Sequence, residues 1–180
     1  MRLALALALS CAALAACGAK APAAASVDCG AVPPLTGRVV DKANLISPAA
    51  QATLTDALAK LESSTTDQMV VVTLPSLGGR TVEEAGLALG RCWQIGQKRF
   101  NNGVVVLVAP AEKKMRLEVG YGLEGLLTDP RAKKIVDEDM VPRFKAGRFE
   151  AGIEAGVASI DRLLRSDLRR PQPLPPPSRS

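Results

Sequence analysis

Two acids set in a glycine-rich turn carry the most chemistry in this chain. The run MRLEVGYGLEGLLTD, Met115–Asp129, passes from an alternating segment into Gly120, Gly122 and Gly125, with Tyr121, Glu124 and Asp129 displayed around them. Carboxylates and glycine carbonyls are hard oxygen donors, so such a turn could hold calcium or magnesium. Asp41, in VVDKANLIS, is a third candidate ligand. The bland alternatives are explicit: Asp129 as an N-cap before Pro130, Glu124 as an exposed turn residue, Asp41 as a cap on the loop before Ser47. Glycine permits positive φ or the close approach of another backbone or a ligand. The binding loop is therefore Gly120, Tyr121, Gly122 and Gly125.

Other chemistries are excluded by residue type or spacing. The chain has no histidine, which removes Ser-His and Cys-His catalysis and His-ligated zinc. Cys92 cannot head a C-x5-R phosphate loop, because the residue at the arginine position is Lys98 and Arg99 comes one later. Asp137 and Asp139 form a D-x-D pair within a helix rather than at a strand end, so a solvated helix face explains them. Gly120, Gly122 and Gly125 spell G-x-G-x-x-G, but no later strand closes a βαβ unit or presents a ribose-binding acid; no nucleotide cofactor is expected. Formal net charge is a mild +5 with one Trp and one Tyr, which gives nucleic-acid binding no support. If the chain is an enzyme, carboxylates and a metal must do the work.

The elements that position these residues can be read from periodicity. Ser47-Pro48 marks an N-cap and first turn, and Leu54, Ala57, Leu58 and Leu61 follow at helical spacing. Met69–Leu74 and Val104–Val108 are β-branched, nearly all-apolar runs suited to strands covered on both faces. Between them Thr81 and Glu84 form a capping box, with Val82, Ala85, Leu89 and Cys92 or Trp93 as a buried stripe. Met115, Leu117 and Val119 alternate with Arg116 and Glu118, the pattern of a half-buried strand returning antiparallel beside Val104–Val108. That hairpin should bring Asn101 and Asn102 to face the acidic turn. Asp129-Pro130 opens a third helix that Pro142 ends or bends, and Phe149, Ile153, Val157, Ile160 and Leu164 line a fourth. Strand, helix, strand implies a right-handed crossover. The fold is an α/β three-layer α/β/α sandwich: a small mixed sheet of three to four strands, Val39-Val40 adding an edge, flanked by about four helices. If that edge runs parallel to the Met69 strand, Asp41 emerges at the opposite end of the sheet from the turn; if it runs the other way, Asp41 joins the acids.

Residues 1–16 read as a signal peptide: Arg2, the apolar Leu3–Leu9, then small residues. Leu14-Ala15-Ala16-Cys17 resembles the lipobox of bacterial lipoproteins, which implies lipidation of Cys17 and a periplasmic chain anchored to a membrane. Residues 17–34 are an Ala- and Pro-rich tether, 35–168 a single domain, and 169–180 a proline-rich tail expected to be disordered. In an exported chain Cys29 and Cys92 can pair, with a buried Cys92 as the alternative.

Four segments together resemble the TPM domain: GRVVDKANLIS (37–47), WQIGQKRFNNGVVVLVAP (93–110), VGYGLEGLLTD (119–129) and VPRFKAGRFEAGIEAGV (141–157). That family includes photosystem II repair proteins of the thylakoid lumen, an auxiliary subunit of acetylcholine receptors and many bacterial envelope proteins. The resemblance implies a compact α/β/α fold, a divalent cation site in some members and a proposed acid phosphatase activity. Many bacterial relatives carry a membrane helix and a glycine-rich tail after the domain; here a lipobox and a proline-rich tail stand instead. The expected function is an envelope-anchored binding or accessory module acting on a membrane or a protein complex, with calcium or magnesium at the turn. The alternative is a metal-dependent periplasmic acid phosphatase, for which a base and a phosphate-clamping arginine are missing; Arg116 is the nearest candidate.

Overall fold

A computed structural model describes residues 27–166; the signal peptide, the lipobox with Cys17 and the proline-rich tail lie outside them. The elements run β1 (Val39–Asp41), α1 (Pro48–Thr65), β2 (Gln68–Thr73), α2 (Val82–Trp93), β3 (Gly103–Ala109), β4 (Lys114–Val119), α3 (Asp129–Ile135), a wide π-type turn (Val136–Met140), α4 (Val141–Lys145) and α5 (Phe149–Arg165). The sheet has the order β1-β2-β3-β4, with β1, β2 and β3 parallel and β4 antiparallel to β3. Helices cover both faces, as the uniformly apolar β2 and β3 require.

One core lies between the sheet and α1, α3 and α5, built on Leu58, Leu61, Val71, Val106, Leu123, Ile153 and Ile160. The second, under α2, gathers Val72, Ala85, Leu89, Val105 and Leu107. Alternation along β2 and β3 divides the valines between the two. The capping box of Thr81 and Glu84 forms in full, and Ser47 Oγ accepts from the Ala50 amide at the start of α1. Pro142 does not end the third helix. It sits inside a helical run that widens over Val136–Met140, where a proline would otherwise lose an amide donor and crowd a preceding carbonyl. The Asp139 carbonyl accepts from Arg143 Nη1 at 2.6 Å.

Residues 29–33 are tied to the domain. Cys29 and Cys92 form a disulfide with Cα atoms 5.6 Å apart, Trp93 Nε1 donates to the Pro33 carbonyl at 2.8 Å, and Val32 packs on the α2-side core. Among the described residues no helix is long and apolar enough to cross a membrane.

Candidate functional site

The β3–β4 pairing, Val104 opposite Val119, brings the end of β4 to the start of β3. There two loops touch through their backbones. The Gly120 amide donates to the Gly103 carbonyl at 2.7 Å and the Gly122 amide to the Asn101 carbonyl at 3.1 Å. A Cβ on Gly120 would lie 2.9 Å from the Asn101 carbonyl carbon and one on Gly122 3.1 Å from that of Phe100, in each case with the oxygen nearer still. Close approach is therefore what these glycines provide. Positive φ is not: Gly120 has φ −67°, and neither Gly122 nor Gly125 is in the left-handed region. Gly125 faces open space.

Beside this contact, between the C-terminal half of α2 and the glycine turn, lies a cleft of about 440 Å³ whose lining includes Leu87, Arg91, Asn101, Glu118, Tyr121 and Glu124. Its polar groups are few. Glu118 is bound to Arg116 Nε at 2.7 Å, and Arg116 also lies 4.0 Å from Glu83. Glu124 and Arg91 are exposed, and neither side chain has a hydrogen bond or ion pair among the described residues. A larger groove of about 770 Å³ between α1 and α5 is lined by Leu54, Ala57 and Val157, and its Asp161 and Arg165 are already paired with each other.

The three acids read from the sequence do not converge. Asp129 is exposed, is not among the residues lining the cleft, and is not the cap: Thr128 holds the N-cap position and Asp129 is the first helical residue. Asp41 pairs with Thr73 at the far end of the parallel strands, because β1 runs parallel to β2. Its carboxylate is spent there. Oδ1 accepts from the Leu45 amide at 3.1 Å and from Thr73 Oγ1, and Oδ2 accepts from the Ile46 amide at 3.0 Å. Among the described residues no group of three or more acids or cysteines is placed to hold a metal. Glu124, Asp129 and Asp41 therefore do not fit a single calcium or magnesium site.

Asn101 lines the cleft as the hairpin predicts, but Asn102 does not face the turn. It is 5% exposed, and its amide donates to the Thr66 carbonyl at 2.8 Å and Asp67 at 3.1 Å while its oxygen accepts from the Gln97 amide at 2.9 Å. It locks the β2 and β3 loops together. Arg91 and Glu118 are the cleft residues that sequence reasoning passed over. Glu118 was visible as a wet-face position of β4, and Arg91 as the neighbour of Cys92; their proximity to the turn depends on how α2 packs on β4. Gly86 makes that packing close, since a Cβ there would meet Arg116 Cδ at 3.0 Å.

The fold and this cleft define a three-layer α/β/α domain with a half-open cleft at one end of a mixed sheet. Residues 39–163 match the TPM domain, and the chain belongs to that family. It is similar to the N-terminal domain of a P. gingivalis protein solved by NMR, with 35% identity, a TM-score of 0.67, and coverage of 72% of this chain and 82% of that one. The BA42 protein of Bizionia argentinensis shares the fold at 18% identity and a TM-score of 0.58, covering 66% of this chain and 81% of that one. So does the N-terminal domain of the cg2496 protein of Corynebacterium glutamicum, at 17% identity and 0.57, covering 73% and 84%. No curated protein matches the chain.

Proposed function

We propose that this chain is an envelope-anchored binding or accessory module: a TPM domain held at the periplasmic side of a bacterial membrane by lipid on Cys17, presenting the cleft beside the glycine turn to a membrane or a protein complex. The Cys29–Cys92 disulfide carries the reading, because such bonds persist in exported proteins and are rare in reducing cytosol. Calcium or magnesium enters this reading only as a largely hydrated ion near Glu124, since the acids named from the sequence stand apart. A metal-dependent acid phosphatase is the second reading. Arg91 at the cleft favours it, because a guanidinium can fork onto phosphoryl oxygens, whereas Arg116 is engaged by Glu118 and Glu83.

The anchor is tested by intact mass. The purified protein should begin at Cys17 and carry a diacylglyceryl group that a Cys17→Ser chain lacks; an unmodified N-terminus elsewhere refutes it. The two readings of the cleft separate in an aryl phosphatase assay with magnesium or calcium, run on the parent protein and on Arg91→Ala and Glu124→Ala. Turnover lost in both variants establishes the enzyme. No turnover, with a melting temperature raised by calcium in the parent but not in Glu124→Ala, establishes a cation-binding module, because a ligand selective for the folded state stabilises it.

A further inference from the structure

Four large apolar side chains are exposed among the described residues, and three of them, Leu87, Phe100 and Tyr121, belong to the glycine-turn end of the domain. Tyr121 is 80% exposed and Phe100 44%. Their loops are clasped to each other by the Gly122–Asn101 hydrogen bond and the fit of Gly122 against the Phe100 carbonyl. Exposed cations flank them. Arg99 lies over the Phe100 ring at 5.5 Å, Lys98 precedes it, and Arg91 lines the cleft with Tyr121 and Leu87. None of the three forms an ion pair among the described residues. The acids lining the cleft are Glu118, which Arg116 neutralises, and Glu124. Positive charge therefore prevails around an aromatic ledge.

We propose that this end of the domain is a membrane-contacting surface. Phe100 and Tyr121 enter the headgroup layer, and Arg91, Lys98 and Arg99 meet the phosphates of anionic lipids. Aromatic rings with an apolar body and a wet rim favour the bilayer interface. Basic residues held near an anionic leaflet add attraction that falls off within a Debye length. The path of the chain agrees. The disulfide clasps residue 29 to α2 one residue past Arg91, so the segment back to Cys17 starts at this end and reaches at most roughly 40 Å. The C-terminal helix ends here as well: Arg165 Nη1 donates to Ser64 Oγ at 2.6 Å, close before Thr66, whose carbonyl accepts from Asn102. The inference names the target within the proposed function and rests on that reading only for the anchor; the surface is defined by its own residues.

The test uses the full chain with Tyr121→Trp, bound to vesicles of brominated phosphatidylglycerol or brominated phosphatidylcholine. Native Trp93, half-buried and bonded to Pro33, is the reference emission. The added emission should shift to the blue and be quenched more strongly in phosphatidylglycerol, with each cation removed in Arg91→Gln, Lys98→Gln and Arg99→Gln lowering the docked-to-undocked ratio roughly fivefold. Phe100→Ser should weaken quenching without altering the melting temperature, as expected of an exposed side chain. Protein that floats with vesicles while residue 121 keeps a solvent-like, unquenched emission overturns the inference and leaves the cleft to a protein partner. Equal quenching in both lipids, insensitive to the charge variants, overturns it too. The intact mass at Cys17 reports separately on the anchor, so neither failure can be mistaken for the other.

Discussion

Gly122→Ala isolates the physical reason for the glycine turn. Its backbone does not require a left-handed φ, so alanine meets no intrinsic dihedral penalty; the obstacle is space. The new methyl carbon would lie 3.1 Å from the Phe100 carbonyl carbon, nearer to its oxygen, and 3.3 Å from the Asn101 oxygen. Either loop must retreat. Overpacking of this kind costs ~1–3 kcal/mol, and losing the Gly122 to Asn101 hydrogen bond adds ~1 kcal/mol. The expected destabilisation is thus ~2–4 kcal/mol, near ~4 °C of melting temperature per kcal/mol for a domain of this size. Gly125→Ala is the control: open space surrounds it, so reduced freedom of the unfolded chain should leave stability unchanged or raised by up to ~1 kcal/mol. Urea titration should show a lower midpoint for Gly122→Ala at an unchanged slope. Equal midpoints for the two variants would refute the close-approach account.

Asp41→Ala strands the Leu45 and Ile46 amides and frees Thr73 and Gln51, so it should lose ~2–4 kcal/mol by urea titration while leaving any calcium response at the glycine turn intact. Cys92→Ser opens a covalent loop spanning 63 residues and should lower stability by ~2–4 kcal/mol, an effect that mild reductant reproduces in the parent. Glu112 accepts from Ser76 Oγ at 2.6 Å and the Leu77 amide at 2.9 Å, bonds that hold its carboxyl below the ordinary value of 4.5. A lowered folded-state pKa gives stability that is present above about pH 4.5 and lost as pH falls through the folded value. Glu112→Gln should accordingly flatten the acid limb of the pH–stability curve; an unaltered acid limb would count against this bond.

Sequence reasoning reached the architecture because each element carries its own signature. The Ser47 and Thr81 caps, the valine runs of β2 and β3, the alternation in β4 and the stripe of α5 are all local, and the strand-helix-strand crossover makes β2 and β3 parallel. Of the two readings of Pro142, that it ends or bends the third helix, the first fails because a helix can absorb a proline by widening, a response that depends on what packs against it. At Met140 and Phe144 the packing partner is α5, whose Gly156 and Gly152 leave no room for a Cβ beside them.

The candidate site was legible only in part. Its residue types, the glycine pair and the place of Asn101 follow from local pattern and hairpin register. The fate of Asp41 turned on the direction of a three-residue edge strand, which no periodicity reports; pairing with β2 placed it at the far end of the sheet. The cleft needed more still, since Arg91 on α2, Glu118 on β4 and Glu124 in the turn are distant in sequence and meet through layer packing. Alone, the sequence determined the elements, their order and the residues able to do chemistry, because backbone preference and burial pattern act over a few neighbouring positions. Only the tertiary structure decided which carboxylates share a space, since that depends on strand direction and on how closely a helix can approach a sheet.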